Sequence, residues 1–187
     1  ADISWHTSFT GFCADLTADV YIDLLFENDA TRIMSLSKLL PKPVVINSVI
    51  HTSHETHPSF VRINGWPGFL KRDVAEFAGN REMEAAISAL ASSLNKKAEW
   101  VEDITGMFTP KVIAMIVNEA YFAFGEDVST KEEIDTAMKL GTNYPQGPFE
   151  WSKEIGLENI HKLLLTLSAN DKRYQIAPAL IREAVEA

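Results

Sequence analysis

Residues 106–151 read GMFTPKVIAMIVNEAYFAFGEDVSTKEEIDTAMKLGTNYPQGPFEW, and the spacing of their apolar side chains decides the fold of the second half of the chain. Ile113, Ile116, Val117, Ala120, Tyr121 and Phe124 recur at intervals of helical period, which puts them on one face of an α-helix. Thr109 followed by Pro110 predicts its N-cap and first turn, and Gly125 its end. Ser129 and Glu132 predict a capping box for a second helix that runs to Gly141. The octapeptide Asn143-Tyr144-Pro145-Gln146-Gly147-Pro148-Phe149-Glu150 is then a turn, and Leu157–Leu167 and Pro178–Val185 supply two more helices.

Upstream the pattern changes class. Residues 18–26, ADVYIDLLF, are rich in β-branched and aromatic side chains and predict a buried strand. Residues 30–40 carry Ile33, Leu36 and Leu40 at helical spacing until Pro41 and Pro43 stop them, and Val44-Val45-Ile46 is a second strand. Strand, helix, strand is a βαβ unit, so the two strands are expected to be parallel. A third strand falls near Phe60–Ile63, a helix carries Met83, Ala86, Ile87, Leu90 and Leu94, and a short strand follows at Ala98–Glu102. Together these predict an α/β part over residues 1–104, a partial Rossmann-like βαβ sheet, followed by an all-α part over residues 105–187.

Composition narrows the function classes. A chain of 187 residues with 46% apolar side chains is globular, and it has no apolar run long enough for a membrane helix. Its 26 acids against 17 bases give a formal net charge of -9, which argues against nucleic acid or an anionic membrane as partner. A polyanionic ligand would need a local basic cluster, for which Lys38, Lys42, Arg62, Lys71 and Arg72 are the candidates; the alternative is a solvated face. The single cysteine, Cys13, reads as a small apolar side chain and fits a reducing, cytoplasmic setting.

The quoted stretch resembles the C-terminal domain of 3-hydroxyacyl-CoA dehydrogenases: NEA within one helix, EEIDTAMKLG as the next, and NYPQGPFE for the family's G-Y-P-x-G-P-F-E. The first half then resembles the same family. ADVYIDLLFEN is similar to a strand ending in E-N, VVINS to the strand before an S-N-T-S segment, and RINGWPGFLKRDVAEFAG to a segment written H-F-F-N-P followed by V-E and a glycine. The resemblance implies fatty-acid metabolism, NAD-dependent oxidation of a 3-hydroxyacyl-CoA, and a homodimer paired through the helical part. It also implies a histidine that handles the C3 hydroxyl proton and a glutamate that orients it. With Glu76 on that glutamate, Asn64 stands in place of the histidine and Pro67 in place of the motif asparagine. Likewise Pro110 and Lys111 fill the last two positions of the family's G-F-x-V-N-R element. An amide holds a carbonyl oxygen but does not exchange a proton near neutral pH.

Glu27 and Arg32 fall on the family's cofactor-side E and K positions, and Asn47 and Ser48 on its N-T-S. No G-x-G occurs in the 187 residues, although a dinucleotide cradle needs that turn for close backbone approach. The expectation is therefore no cofactor for this chain, against NAD for the family, with an acyl-CoA-like small molecule as ligand. Two functional classes remain, a dehydrogenase of this type that is either incomplete in this chain or relies on another acid/base group, and a non-catalytic ligand-binding or dimeric interaction module. Other chemistry has weaker sequence support. His51, His54 and His57 form H-x-x-H-x-x-H, read as a polar loop more than a zinc or nickel site. Ser48 near His51, and Glu76 with Glu119, are pairs by residue type only, and Tyr121, Phe122 and Phe124 read as core or dimer seam.

Overall fold

Val44-Val45-Ile46 has no polar side chain, and such a run is at home only in a strand covered on both faces. In the computed structural model, which describes residues 2–186, it forms strand β2 (Val44–Asn47), with all three residues fully buried. The chain divides into two compact units, the first ending at Met107 and the second beginning at Phe108.

The first unit carries a five-stranded sheet in the order β1 (Tyr21–Asp23), β2, β3 (Val61–Ile63), β4 (Val74–Gly79), β5 (Lys97–Trp100). β1, β2 and β3 are parallel, β3 and β4 antiparallel, and β4 and β5 parallel. The βαβ expectation thus holds, with α2 (Ala30–Ser37) between β1 and β2. β1 is shorter than the 18–26 run because the Asp23 carboxylate accepts the Leu25 N–H at 3.2 Å and turns the chain out of the ladder. α2 likewise stops before Leu40, since a residue preceding proline is pushed out of the helical region. α1 (Phe9–Ala14) and β4 are elements the sequence pattern does not announce. A 3-10 turn, Arg81–Met83, leads into α3 (Glu84–Ser93). Side-chain alternation splits the core in two. Tyr21, Val44, Ile46 and Phe60 pack with Leu36 and Leu39 on one face, and Val45, Ile63, Ala75 and Phe77 with Ile87 of α3 on the other.

The second unit is built from helices: α4 (Thr109–Gly125), α5 (Lys131–Thr142), α6 (Pro148–Ile155), α7 (Leu157–Ser168) and α8 (Pro178–Glu186). Two cap assignments shift by one residue. Phe108 already has helical dihedrals, so Thr109 is the first residue of α4 instead of its cap. Thr130 and Glu133, not Ser129 and Glu132, form the capping box of α5, while Ser129 Oγ adds a hydrogen bond of 2.6 Å to the same Glu133 carboxylate. α6 begins inside the octapeptide expected as a turn and extends five residues past its last member, Glu150, to Ile155.

Asn118, the first residue of NEA, explains part of that motif. Its side chain is buried on α4, where Nδ2 donates to the Gln175 carbonyl at 2.8 Å and Oδ1 accepts the Ala177 N–H at 2.9 Å, holding the segment that opens α8. We expect Asn118→Leu to leave both backbone groups unpaired and to cost about 1–3 kcal/mol in urea unfolding. Wild-type stability in that variant would mean that the clamp is dispensable. Among the described residues no helix is long and apolar enough to cross a membrane.

Candidate functional site

The carboxyl ends of β1, β2 and β3 lie side by side, which is where open α/β sheets present ligand-binding side chains. Asn64 follows β3 directly, and Glu76 sits in β4, its antiparallel neighbour. The Asn64 N–H donates to the Glu76 carbonyl at 3.0 Å, and its side-chain Nδ2 approaches Glu76 Oε2 at 3.4 Å. Both side chains are buried. The pair aligned through the sequence, twelve residues apart, is thus a physical pair. Asn64 Oδ1 accepts the Trp66 N–H at 3.4 Å, so the carboxylate takes the amide's donor side and the backbone its acceptor side.

Asn47, at the end of β2, links three strand ends. Its Nδ2 donates to the Leu24 carbonyl at 3.2 Å and its Oδ1 accepts the Gly65 N–H at 3.0 Å. Residue 65 is glycine for reasons of space, because a Cβ there would lie 2.8 Å from the Asn47 side chain. Ser48 is also consumed by backbone: its hydroxyl donates to the His51 carbonyl at 2.8 Å, not to the imidazole. Sequence proximity therefore suggests a nucleophile–base pair that the side chains do not make.

On the β1–α2 turn, Arg32 Nε and a terminal nitrogen grip Asp23 in a bidentate pair at 2.7 Å, and the guanidinium lies 4.3 Å from the centre of the Phe9 ring. Its hydrogen bond with Asp23 raises the Arg32 pKa. Glu27 is exposed on the same turn.

Two of the five basic candidates, Arg62 and Lys42, are engaged by backbone carbonyls of the fold. Arg62 is fully buried, with Nε on the Ser48 carbonyl and NH2 on the Val49 carbonyl, both at 2.8 Å, and NH1 on Asp103 at 2.5 Å. Lys42 donates to the Leu16 and Ala18 carbonyls at 2.7 and 2.8 Å. Burial drew Arg62 inward because one guanidinium satisfies several loop carbonyls at once. Of the histidines, His57 stacks on Phe60 at 4.6 Å and accepts the Ser59 N–H, while His54 is exposed. Among the described residues no group of three or more His, Cys, Asp or Glu side chains is placed to hold a metal ion. Glu119 is exposed on α4.

Comparison with known proteins decides the ancestry. Residues 106–187 match the model of the 3-hydroxyacyl-CoA dehydrogenase C-terminal domain. The chain is 38% identical over 87 residues to 3-hydroxyadipyl-CoA dehydrogenase of Escherichia coli, covering 46% of this chain and 18% of that protein. It is 34% identical over 112 residues to the probable 3-hydroxybutyryl-CoA dehydrogenase of Bacillus subtilis, covering 59% of this chain and 39% of that one. The fold of (S)-3-hydroxybutyryl-CoA dehydrogenase from Ralstonia eutropha covers 97% of this chain and 69% of that chain, with a TM-score of 0.77 at 24% identity.

Residues 106–187 are a C-terminal domain of the 3-hydroxyacyl-CoA dehydrogenase family.

The matched parts amount to well under half the length of the two curated relatives, 18% and 39%. Members of this family bind acyl-CoA substrates. The family's octapeptide has a local explanation here. Asn143, where the family writes glycine, has φ 57°, the left-handed conformation that asparagine tolerates best after glycine, so the C-terminal turn of α5 survives the exchange.

The family's cofactor can be tested against the residues present. A pyrophosphate sits against free N–H groups at a helix N-terminus reached through a glycine turn. In the β1–α2 connection, residues 24–29 contain no glycine, and the Asp29 carboxylate occupies the helix N-terminus, accepting the Arg32 N–H at 2.9 Å. With Glu27 beside it, that turn is acidic where a phosphate would need donors. This turn does not fit a dinucleotide pyrophosphate.

Proposed function

We propose that this chain is a 3-hydroxyacyl-CoA dehydrogenase relative that binds an acyl-CoA-like thioester, without performing NAD-dependent hydride transfer by itself, and that it works as a homodimer through its helical unit. The carrying observation is the buried Asn64–Glu76 pair. Asn64 stands where the family resemblance puts the proton-handling histidine, and it is hydrogen-bonded to the residue that would orient that histidine. An amide N–H polarises and positions a carbonyl oxygen, but the side chain does not titrate, so the 10² to 10⁴-fold, roughly, that acid–base catalysis contributes is not supplied at this position. The acidic β1–α2 turn supports the same reading on the cofactor side.

Calorimetry with acetoacetyl-CoA and with NADH, alongside an assay of NADH oxidation, tests it. We expect acyl-CoA binding without turnover, weakened about tenfold in Asn64→Ala for one lost hydrogen bond to the ligand carbonyl. NADH binding with turnover would establish a working dehydrogenase instead, and silence toward both ligands would overturn the binding role.

A further inference from the structure

The bases grouped by sequence separate by position in the sheet. Lys38 closes α2 and Lys42 precedes β2, so both lie at the amino ends of β1 and β2, away from Asn64. Arg62 is buried inside. Lys71 and Arg72 lie at the other end, because β4 runs antiparallel to β3 and brings its amino end beside the carboxyl end of β3, where Asn64 sits. β5 is parallel to β4 and adds Lys96 and Lys97 to that end, from the turn that follows α3. Two contacts stitch the turns together: Lys96 Nζ donates to the Arg72 carbonyl and the Lys97 N–H to the Asp73 carbonyl, each at 2.7 Å. We infer that Arg72, Lys96 and Lys97, with Lys71 beside them, hold the phosphate groups of a coenzyme A thioester whose carbonyl end lies at Asn64.

Direction and distance argue for this ligand. Ile63, Ala75 and Phe77 face α3, so by alternation Glu76, and Lys97 and Glu99 beside it on β5, point to the opposite face, the one on which the Asn64 and Glu76 side chains meet. Lys97 lies two strands and two residues from Asn64, about 12 Å between Cα atoms. The pantetheine arm of coenzyme A, which separates thioester from pyrophosphate, reaches across that gap when partly extended. Four bases meet two acids here, Asp73 and Glu99, within a chain of net charge -9, so this end of the sheet attracts phosphate where the surface at large repels it. Glu99 is paired with Lys97 at 2.9 Å, but both side chains are more than half exposed, and a solvated pair of that kind opens at little cost. Arg72 is exposed, its guanidinium carbon 5.8 Å from the centre of the Phe69 ring, and it offers phosphate a planar fork of donors.

The inference rests on the thioester-binding reading proposed above, and the test separates them. Acetoacetyl-CoA and acetoacetyl-pantetheine, which keeps the thioester and lacks every phosphate, are titrated calorimetrically into wild type and variants. Wild type is expected to bind the first about a hundredfold more tightly than the second, a gap that narrows as salt screens the cations. Arg72→Gln and Lys97→Gln should each weaken acetoacetyl-CoA about tenfold. Neither should change the affinity for acetoacetyl-pantetheine, which also shows that the variants are folded. Lys38→Gln, at the far end of the sheet, should change neither ligand. Equal wild-type affinities for the two thioesters, or an acetoacetyl-CoA affinity that survives both Arg72→Gln and Lys97→Gln, overturns the phosphate site and leaves the thioester reading standing. A loss in Lys38→Gln as large as in Arg72→Gln does the same, because the effect is then one of net charge. Inorganic pyrophosphate that binds as tightly as acetoacetyl-CoA would make the cluster an anion site with no link to Asn64. Wild type that binds neither thioester overturns both readings.

Discussion

Arg62→Met is expected to cost the first unit about 3–5 kcal/mol, the range for removing one partner of a buried ion pair. The guanidinium faces three loop carbonyls, those of Ser48, Val49 and Ile104, together with the Asp103 carboxylate. A methionine fills the volume but takes the donors away from those acceptors. Asp103 would keep Ser53, which bonds it through both its N–H and its hydroxyl. Arg62→Lys should recover little, because one ammonium cannot span acceptors that a planar fork reaches from two sides. The pH dependence has a definite sign. Burial raises the Asp103 pKa, but the hydrogen bonds from Ser53 and Arg62 outweigh it, so its carboxyl sits below the ordinary aspartate value. A carboxyl depressed in the folded state contributes stability above its unfolded pKa and loses it as pH falls through the folded one. Wild type should therefore shed stability below about pH 4, and Arg62→Met should flatten that part of the curve. Urea midpoints of the two proteins from pH 3 to 7 decide the matter; a difference under about 1 kcal/mol at neutral pH would reduce Arg62 to an ordinary packed side chain.

Arg62 also shows where sequence reading stops. As a type it belongs with Lys38, Lys42, Lys71 and Arg72 in a basic cluster, and nothing local says that it is buried. Its partner Asp103 lies 41 residues away and Ser53 lies 50 residues from that same aspartate, so the network is invisible to any window. Periodicity recovers what is governed locally: α4, α5, α7, α8 and the parallel pair β1 and β2. It misses β4 because VAEFAG has one exposed residue before four buried ones, so no alternation marks it. It misses α6 because Pro145, Gly147 and Pro148 carry turn grammar, and proline at the first turn of a helix looks the same in sequence as proline in a loop. The Asn64–Glu76 pair is legible for a different reason. The motif resemblance fixes both positions, and the antiparallel step from β3 to β4 then brings them together.

The helical unit should be most sensitive at Gly147, and Gly147→Ala is expected to cost about 2–4 kcal/mol, a steric penalty plus a disturbed helix start. The glycine is not there for backbone freedom, since φ -78° and ψ 163° suit any residue. Space demands it. Asp135 reaches across from α5 and caps α6 from outside, its two oxygens accepting the Phe149 N–H at 2.8 Å and the Glu150 N–H at 3.2 Å. A Cβ on residue 147 would overlap that carboxylate. Glycine has no side chain to cap its own helix, so the buried Asp135 supplies the acceptors, and Glu150 completes the turn by accepting the Gly147 N–H at 2.8 Å. The D of EEIDTAMKLG and the G of GPFE are thus two halves of one contact. Asp135→Ala alone should cost about 1–3 kcal/mol through the orphaned N–H groups. The double variant then separates cause from coincidence. With the carboxylate gone the added methyl has room, so Gly147→Ala should be cheaper in the Asp135→Ala background by about 1–2 kcal/mol, a coupling of the size neighbouring residues show. Additive urea-unfolding costs would mean that Gly147 is required by something other than Asp135.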